Sequence, residues 1–348
     1  MAIGVGFVGA GRIAQLRHLP EFSVLPSVKM VAVSDIVAEA AQSVANTYGI
    51  PRVYTGDKGW RELLEDSSVD AVVISTPNRL HAPVAIAAAK AGKHVLVEKP
   101  MAMSLAEADE MIEAAKANNV VLMVAHNQRF MKLHREAKTI LESGFLGKVY
   151  AVKATFGHPG PEVGTSQGKW FFQKAYSGGG CWLDLGIHKV DLVLWMVRRP
   201  VIAVSCFMST LEKDGDVEDN ALALLQFDNG TLATINVSWT LHPAEDSLVV
   251  HCERGSLWAN SGKNTLQVYT TKPVTLRSEC EVPPQGLNRA GVANSGVAEE
   301  FIRCLENGDP PPVSGEEARA ALAVILAGYE VAEARYEVAA AGRVVRLN

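Results

Sequence analysis

Apolar and polar positions follow two regimes along this chain of 348 residues. Up to about residue 124, short apolar runs at 3–8, 29–34, 70–75, 94–97 and 120–125 are separated by helical stretches such as Pro83 to Ala91 and Leu105 to Asn118. This alternation predicts a parallel sheet covered by helices on both faces. Beyond it, strand-like runs at 148–156, 201–209, 221–227, 231–239, 247–252, 256–259 and 265–271 follow one another. Asp228-Asn229-Gly230 and Arg254-Gly255 are hairpin signals, so the second sheet is expected to be mainly antiparallel. Pro310-Pro311-Pro312 then breaks the chain before Ser314, which with Glu317 forms a capping-box signature for a last helix over about 315–337. The expected fold is therefore α/β followed by α+β, with one domain over 1–124 and a second over 125–348.

Within Thr231 to Trp239, no charged outer face separates from an apolar inner one. A moderately polar, uncharged face suits burial against another subunit, so a homodimer or homotetramer is expected. Composition narrows the remaining classes. With 48% hydrophobic and 20% charged residues and a net charge of -5, the chain reads as a soluble globular protein with no nucleic-acid-binding character. Its length exceeds what a single core usually supports, in keeping with two domains. The five cysteines are scattered without a CxxC pair or a ligand-like spacing to histidine, so a reduced, cytoplasmic setting and no zinc are expected. Neither a signal peptide nor a membrane span is expected.

The first apolar run, Ile3 to Val8, leads straight into Gly9-Ala10-Gly11-Arg12-Ile13-Ala14, and the second closes on Asp35. Strand, glycine-rich turn, helix and a terminal acid form the pattern of a nucleotide-binding βαβ unit. Gly9 permits the tight turn, Gly11 lets the backbone approach a pyrophosphate, and Ala14 permits close helix–strand packing. The pyrophosphate would sit on free N–H groups at the positive helix end, with Gly9, Gly11, Arg12 and Ile13 as cofactor-binding candidates. Asp35 would accept hydrogen bonds from an unmodified ribose and repel a 2′-phosphate, and Ile36 supplies no cation, so NAD is favoured over NADP. Arg12, if it swung over the ribose, would blunt that preference.

Two further segments carry chemistry. Val95 to Val97 ends in Glu98-Lys99-Pro100. Ligands of open parallel sheets bind outside the carboxyl ends of strands, which puts Lys99 near the reactive end of the cofactor. The second segment, Gly178-Gly179-Gly180 to Met196, is a helix apolar around most of its girth. At about 3.6 residues per turn, Asp184, His188 and Asp191 share one polar stripe, which either is hydrogen-bonded internally or lines a site. The glycine triplet favours a site, since it lets the backbone pass close to a ligand.

The glycine turn, Asp35, Glu98-Lys99-Pro100 and the Asp184/His188 helix together resemble the glucose–fructose oxidoreductase/inositol dehydrogenase (Gfo/Idh/MocA) family. Supporting stretches are Ser75 to His81, Asn127-Gln128-Arg129-Phe130 and Val217-Glu218-Asp219-Asn220-Ala221. The resemblance implies a Rossmann domain followed by a substrate and oligomerisation domain. It also implies hydride transfer between NAD and a hydroxyl-bearing carbon of a sugar, sugar derivative or cyclitol. By position, Lys99, Asp184 and His188 match the family's catalytic trio. His188 would be the base, Lys99 would stabilise the developing oxyanion, and Asp184 would orient substrate or imidazole.

The same resemblance makes Thr76, Pro77, Asn78 and His81 a wall of the cofactor cleft, with Glu98 near the nicotinamide ribose. For His81, a local cap at the helix start is the competing reading. Gly157 to Ser177 is expected to form a wall of the substrate pocket, in which Trp170 and Tyr176 would offer a ring face and a hydroxyl. Two other functions fit parts of the pattern: an NAD-assisted glycoside hydrolase, and a non-catalytic dinucleotide or sugar sensor. The intact trio of Lys99, Asp184 and His188 argues against the sensor.

Overall fold

A computed structural model describes residues 2–163, 168–271, 276–281, 286–288 and 290–337, the side chains of 276–281 and 335–337 excepted. The chain divides into two compact units. Unit 1 comprises Met1–Asn127 and Gln285–Arg319, and unit 2 comprises Gln128–Pro284 and Ala320–Asn348.

Unit 1 holds six parallel strands: β1 (Ile3–Val8), β2 (Val28–Asp35), β3 (Arg52–Thr55), β4 (Ala71–Ile74), β5 (His94–Val97) and β6 (Leu122–Val124). Their order is β3-β2-β1-β4-β5-β6, the doubly wound arrangement whose direction reverses between β1 and β4. All four residues of β4 are buried, and three of the four in β5. The sequence pattern missed β3, a four-residue edge strand with no buried position. The helix Leu105–Ala117 begins with a full capping box between Ser104 and Glu107.

The single expected boundary after residue 124 differs from this division, because the chain returns to unit 1 late. The helix Val297–Asn307 buries Val297, Phe301 and Ile302. Phe301 meets Phe22 edge-on at 6.5 Å, and Phe22 meets Phe7 of β1 at 5.6 Å. Ser295 donates from its backbone N–H and hydroxyl to the buried Glu21. Local periodicity marks this helix as amphipathic without indicating which core receives it.

Unit 2 is built on eight strands: β7 (Val149–Gly157), β8 (Val201–Ser209), β9 (Asn220–Phe227), β10 (Leu232–Ser238), β11 (Glu245–Cys252), β12 (Gly255–Asn260), β13 (Thr265–Thr270) and β14 (Leu276–Glu281). Their order is β14-β13-β12-β11-β7-β10-β9-β8, antiparallel except where β7 lies beside β10. Both hairpin signals fall where expected, joining β9 to β10 and β11 to β12. The pattern did not show β14. On β9, Ala221, Ala223, Leu225 and Phe227 point inward, whereas Leu222, Leu224 and Gln226 are exposed. The last helix runs Gly315–Glu337, with Ser314 and Glu317 forming the expected box. Cys181, Cys206, Cys252 and Cys304 are free and buried. The side chain of Cys280 and the segment Gly164–Gln167 of the expected pocket wall lie outside the described residues. Among those described, no helix is long and apolar enough to cross a membrane.

Buried charge under the sheet of unit 2 is paired. The Arg129 guanidinium grips both carboxylate oxygens of Asp191 at 2.8 and 2.6 Å. Lys189, fully buried, donates to Asp246 at 2.5 Å and to Gln128 Oε1 at 3.1 Å. Thus the Asn127-to-Phe130 stretch is bracing for the helix Ile187–Val197. Beside Lys189, burial and then the ammonium push His134 from its ordinary value of 6.5 down to about 4. The native ring is therefore neutral near pH 6, while the unfolded chain takes up a proton there. This contribution is complete above pH 6.5 and fades as pH falls towards 4, by about 3 kcal/mol. Urea unfolding from pH 7 to pH 4 is expected to show that loss, and His134→Asn, which keeps a donor for the Gln128 carbonyl, to flatten it.

Candidate active site

In unit 1 the site grows from the reversal between β1 and β4. Gly9 has φ +100°, and a Cβ there would lie 2.7 Å from the Ser75 carbonyl oxygen, so glycine is required both by conformation and by the closeness of β4. A Cβ on Gly11, by contrast, would meet nothing within 4 Å, which leaves the backbone open to an approaching phosphate. Helix begins at Arg12 and passes through a π-helical turn, Ala14–His18. Asp35, at the end of β2, accepts the Ala10 N–H at 2.7 Å and the Val37 N–H at 2.8 Å, one on each oxygen. A carboxylate has further acceptor capacity, so hydroxyls of a ribose can be added to these bonds. Across the crevice, Thr76 Oγ1 is buried and has no hydrogen-bond partner among the described residues. Open glycine, acid and unsatisfied hydroxyl fit a dinucleotide.

At the end of β5, burial pushes the Glu98 carboxyl upward, but the hydrogen bond and charge of His18 and the charge of Lys99 outweigh it and hold Glu98 below its ordinary value. His18 Nε2 lies 2.9 Å from Glu98 Oε1, and the Lys99 N–H donates to Oε2 at 3.1 Å. Lys99 itself is half-buried and is followed by a cis bond to Pro100. His18 is 2% exposed, and sequence reasoning missed it, because no spacing rule links the seventh residue after Gly11 to a later strand end. At 1% exposure, with Nδ1 2.7 Å from the Pro100 oxygen and Nε2 2.9 Å from that of Thr76, His81 braces two loops. Asn78 is buried and Pro77 half-buried.

In unit 2 the helix expected from the glycine triplet opens with a π-helical turn, Trp182–Gly186, before the α-helix Ile187–Val197. Single π turns recur where side chains must be re-aimed at functional sites. From Cys181 to Val193 every residue is buried except Asp184 and His188. Asp191, assigned by periodicity to the same stripe, turns inward to Arg129. Over that stretch the helix thus leaves one carboxylate and one imidazole partly exposed.

What fixes that turn is Glu218. Its buried carboxylate accepts N–H bonds from Gly180 and from Trp182 at 3.1 and 2.9 Å and the Tyr329 hydroxyl at 2.8 Å, and burial raises its pKa against these bonds. A Cβ on Gly180 would lie 1.9 Å from the Glu218 carbonyl oxygen, and one on Gly179 would lie 2.0 Å from the Tyr329 hydroxyl. Gly179 and Gly180 are therefore small because protein packs against them, and Gly178 because its φ is +82°, reasons different from the expected passage of a ligand. Glu218, within the Val217-to-Ala221 block, and Tyr329, on the last helix, were given no role by the sequence.

Aromatic rings flank the pair. Trp239 Nε1 lies 3.3 Å from Asp184 Oδ2, and Phe172 meets the Trp239 ring edge-on at 5.5 Å. Phe171 also meets Trp239 edge-on, and Trp170 stacks on Phe171 at 3.9 Å. Phe156 meets His188 at 5.8 Å. Tyr176 is half-buried in the short helix Lys174–Ser177.

Comparison with known proteins places these two units. The model described as "Oxidoreductase family, NAD-binding Rossmann fold" matches residues 3–126, and that of the GFO/IDH/MocA C-terminal domain matches 134–258. The chain belongs to the GFO/IDH/MocA oxidoreductase family. Myo-inositol 2-dehydrogenase of Thermotoga maritima is 30% identical over 93% of this chain and 94% of its own. The 1,5-anhydro-D-fructose reductase of Ensifer adhaerens is 32% identical over 94% and 95%. The crystal structure of GenD2 from gentamicin A biosynthesis, in complex with NAD, superposes with a TM-score of 0.84 at 27% identity, covering 100% of this chain and 97% of that one. Membership of the family makes this GFO/IDH/MocA chain an oxidoreductase with an NAD-binding Rossmann domain.

Gly180→Ala is expected to destabilise the protein by about 2–3 kcal/mol, because Glu218 backbone, not a flexible side-chain tip, stands in the way. Thermal melting beside Gly286→Ala, where nothing lies within 4 Å, checks the assignment.

Proposed function

We propose that this protein is an NAD-dependent dehydrogenase that oxidises a hydroxyl-bearing carbon of a sugar, sugar derivative or cyclitol. The observation that carries the reading is that, from Cys181 to Val193, only Asp184 and His188 are left partly exposed. Gly9, Gly11, Arg12, Ile13, Asp35, Thr76, Pro77 and Asn78 hold the cofactor, and the acid at the end of β2 favours NAD over NADP. When bound, NAD supplies the hydride acceptor. His188 takes the proton of the substrate hydroxyl, Lys99 stabilises the negative charge developing on that oxygen, and Asp184 orients substrate or imidazole. Trp170 and Tyr176 contribute an aromatic face and a hydroxyl to the sugar. The names of the relatives support this substrate class, since those proteins act on a cyclitol and an anhydro sugar.

The test is NADH absorbance at 340 nm during a screen of aldoses, uronates, amino sugars, inositols and glycosides with NAD. We expect a signal with at least one class, lowered at least a hundredfold by His188→Ala and by Lys99→Ala, with NAD affinity little changed in the former. Unchanged turnover in His188→Ala overturns the base. Release of free sugar from a glycoside without net NADH points instead to the hydrolase.

We infer further that the partner is a second copy of this chain, bound through the outer face of the large sheet. Leu222, Leu224, Leu232, Phe207 and Trp258 are each about half exposed on it. Phe207 pairs with Leu222 across β8 and β9, and Leu224 pairs with Thr234 of β10, so the patch is continuous across those three strands. Light scattering is expected to give a dimer or tetramer, and Leu224→Glu a smaller species. A monomeric wild type at micromolar concentration removes the inference.

A further inference from the structure

Two chain segments leave adjacent strands of unit 1 at their carboxyl ends. The Ser75–Asn78 loop follows β4 and lies against the glycine turn: Ser75 N–H donates to Val8 at 2.8 Å, and Ser75 Oγ to the Gly9 carbonyl at 3.1 Å. The Glu98–Pro100 segment follows β5 and carries Lys99. Between the two stands the buried ring of His81, its nitrogens against the Pro100 and Thr76 carbonyl oxygens. A carbonyl only accepts, so each contact asks the ring for an N–H, and a neutral imidazole has one. Besides those carbonyls, Glu98 and Lys99 act on the ring. Burial lowers its affinity for a proton, the carbonyls and Glu98 raise it, and Lys99 lowers it.

We propose that His81 is a positioning residue that joins the cofactor loop to the lysine segment, its Nε2 side setting the Thr76 loop for NAD and its Nδ1 side setting Lys99 for the oxyanion. Neither task needs the ring to touch ligand. The inference rests on the dehydrogenase reading above, and it separates into two halves because the two nitrogens serve different loops.

Two conservative variants resolve them. The amide nitrogen of asparagine can stand near Nδ1 and that of glutamine near Nε2. His81→Asn therefore keeps a donor for Pro100 and drops Thr76, whereas His81→Gln does the reverse. Titration of the substrate-free protein with NADH, followed by nicotinamide fluorescence, is expected to show about tenfold weaker binding for His81→Asn and a much smaller change for His81→Gln. Turnover of the substrate found by the screen, at saturating NAD, is expected to show the opposite ranking, with kcat about tenfold down in His81→Gln. Equal effects of the two variants on binding and on kcat, accompanied by equal losses of melting temperature, would mean a purely structural ring and overturn the proposal. Should either variant fail to fold, the ring nitrogens of His81 in 1H–15N spectra of the unaltered protein are expected to shift when NAD is added. Immobile resonances at saturation overturn it too. Failure of the wild type to bind NADH at all would instead remove the dehydrogenase reading.

Discussion

A carboxylate shut away from water must be given donors, and in unit 2 that requirement organises the chemistry. The Glu218 side chain collects the N–H groups of Gly180 and Trp182 and the hydroxyl of Tyr329, while its own carbonyl takes the Cys181 N–H at 2.9 Å. Three consecutive positions of backbone are thereby pinned, and a Cβ at the first of them, Gly180, would run into the Glu218 backbone. Trp182 extends the hold, donating through Nε1 to the Ile325 carbonyl at 2.9 Å. With the head of the helix fixed this way, the π turn that follows has one orientation, and Asp184 and His188 are the two side chains left facing outward.

Unit 1 solves a similar problem with opposite charges. Glu98 is screened from solvent by His18 on one oxygen and by the Lys99 backbone on the other. Lys99 thus follows a residue whose position is fixed from two directions. Both units use a hydrogen-bonded acid to fix the neighbouring backbone, and both place a π-helical turn in the helix concerned, Ala14–His18 in one and Trp182–Gly186 in the other.

Much of this was legible in the sequence where one physical signal dominated. β-branched runs gave ten of the strands nearly to the residue, because burial on one or both faces leaves a periodic trace. The spacing from Gly9 to Asp35 marked the nucleotide turn, and the Ser314/Glu317 box marked the last helix. What stayed hidden depended on partners far apart in the chain. β3 buries none of its residues, so it leaves no apolar trace. The inward turn of Asp191 needs Arg129, 62 positions away, and the role of Glu218 needs Tyr329, 111 positions away. That both nitrogens of His81 stand against protein carbonyls follows only from the fold.

The late return of the chain to unit 1 bears on how the protein is made. The first core lacks Val297, Phe301 and Ile302 until more than four-fifths of the chain has been synthesised. Phe22, packed against Phe301 in the finished protein, has no such cover while the ribosome is still producing the large sheet. Nascent chains ordinarily fold their first domain before the second emerges. Here the nucleotide-binding unit draws part of its core from sequence that follows the large sheet, so the full contact set of either unit exists only once the last helices have been made.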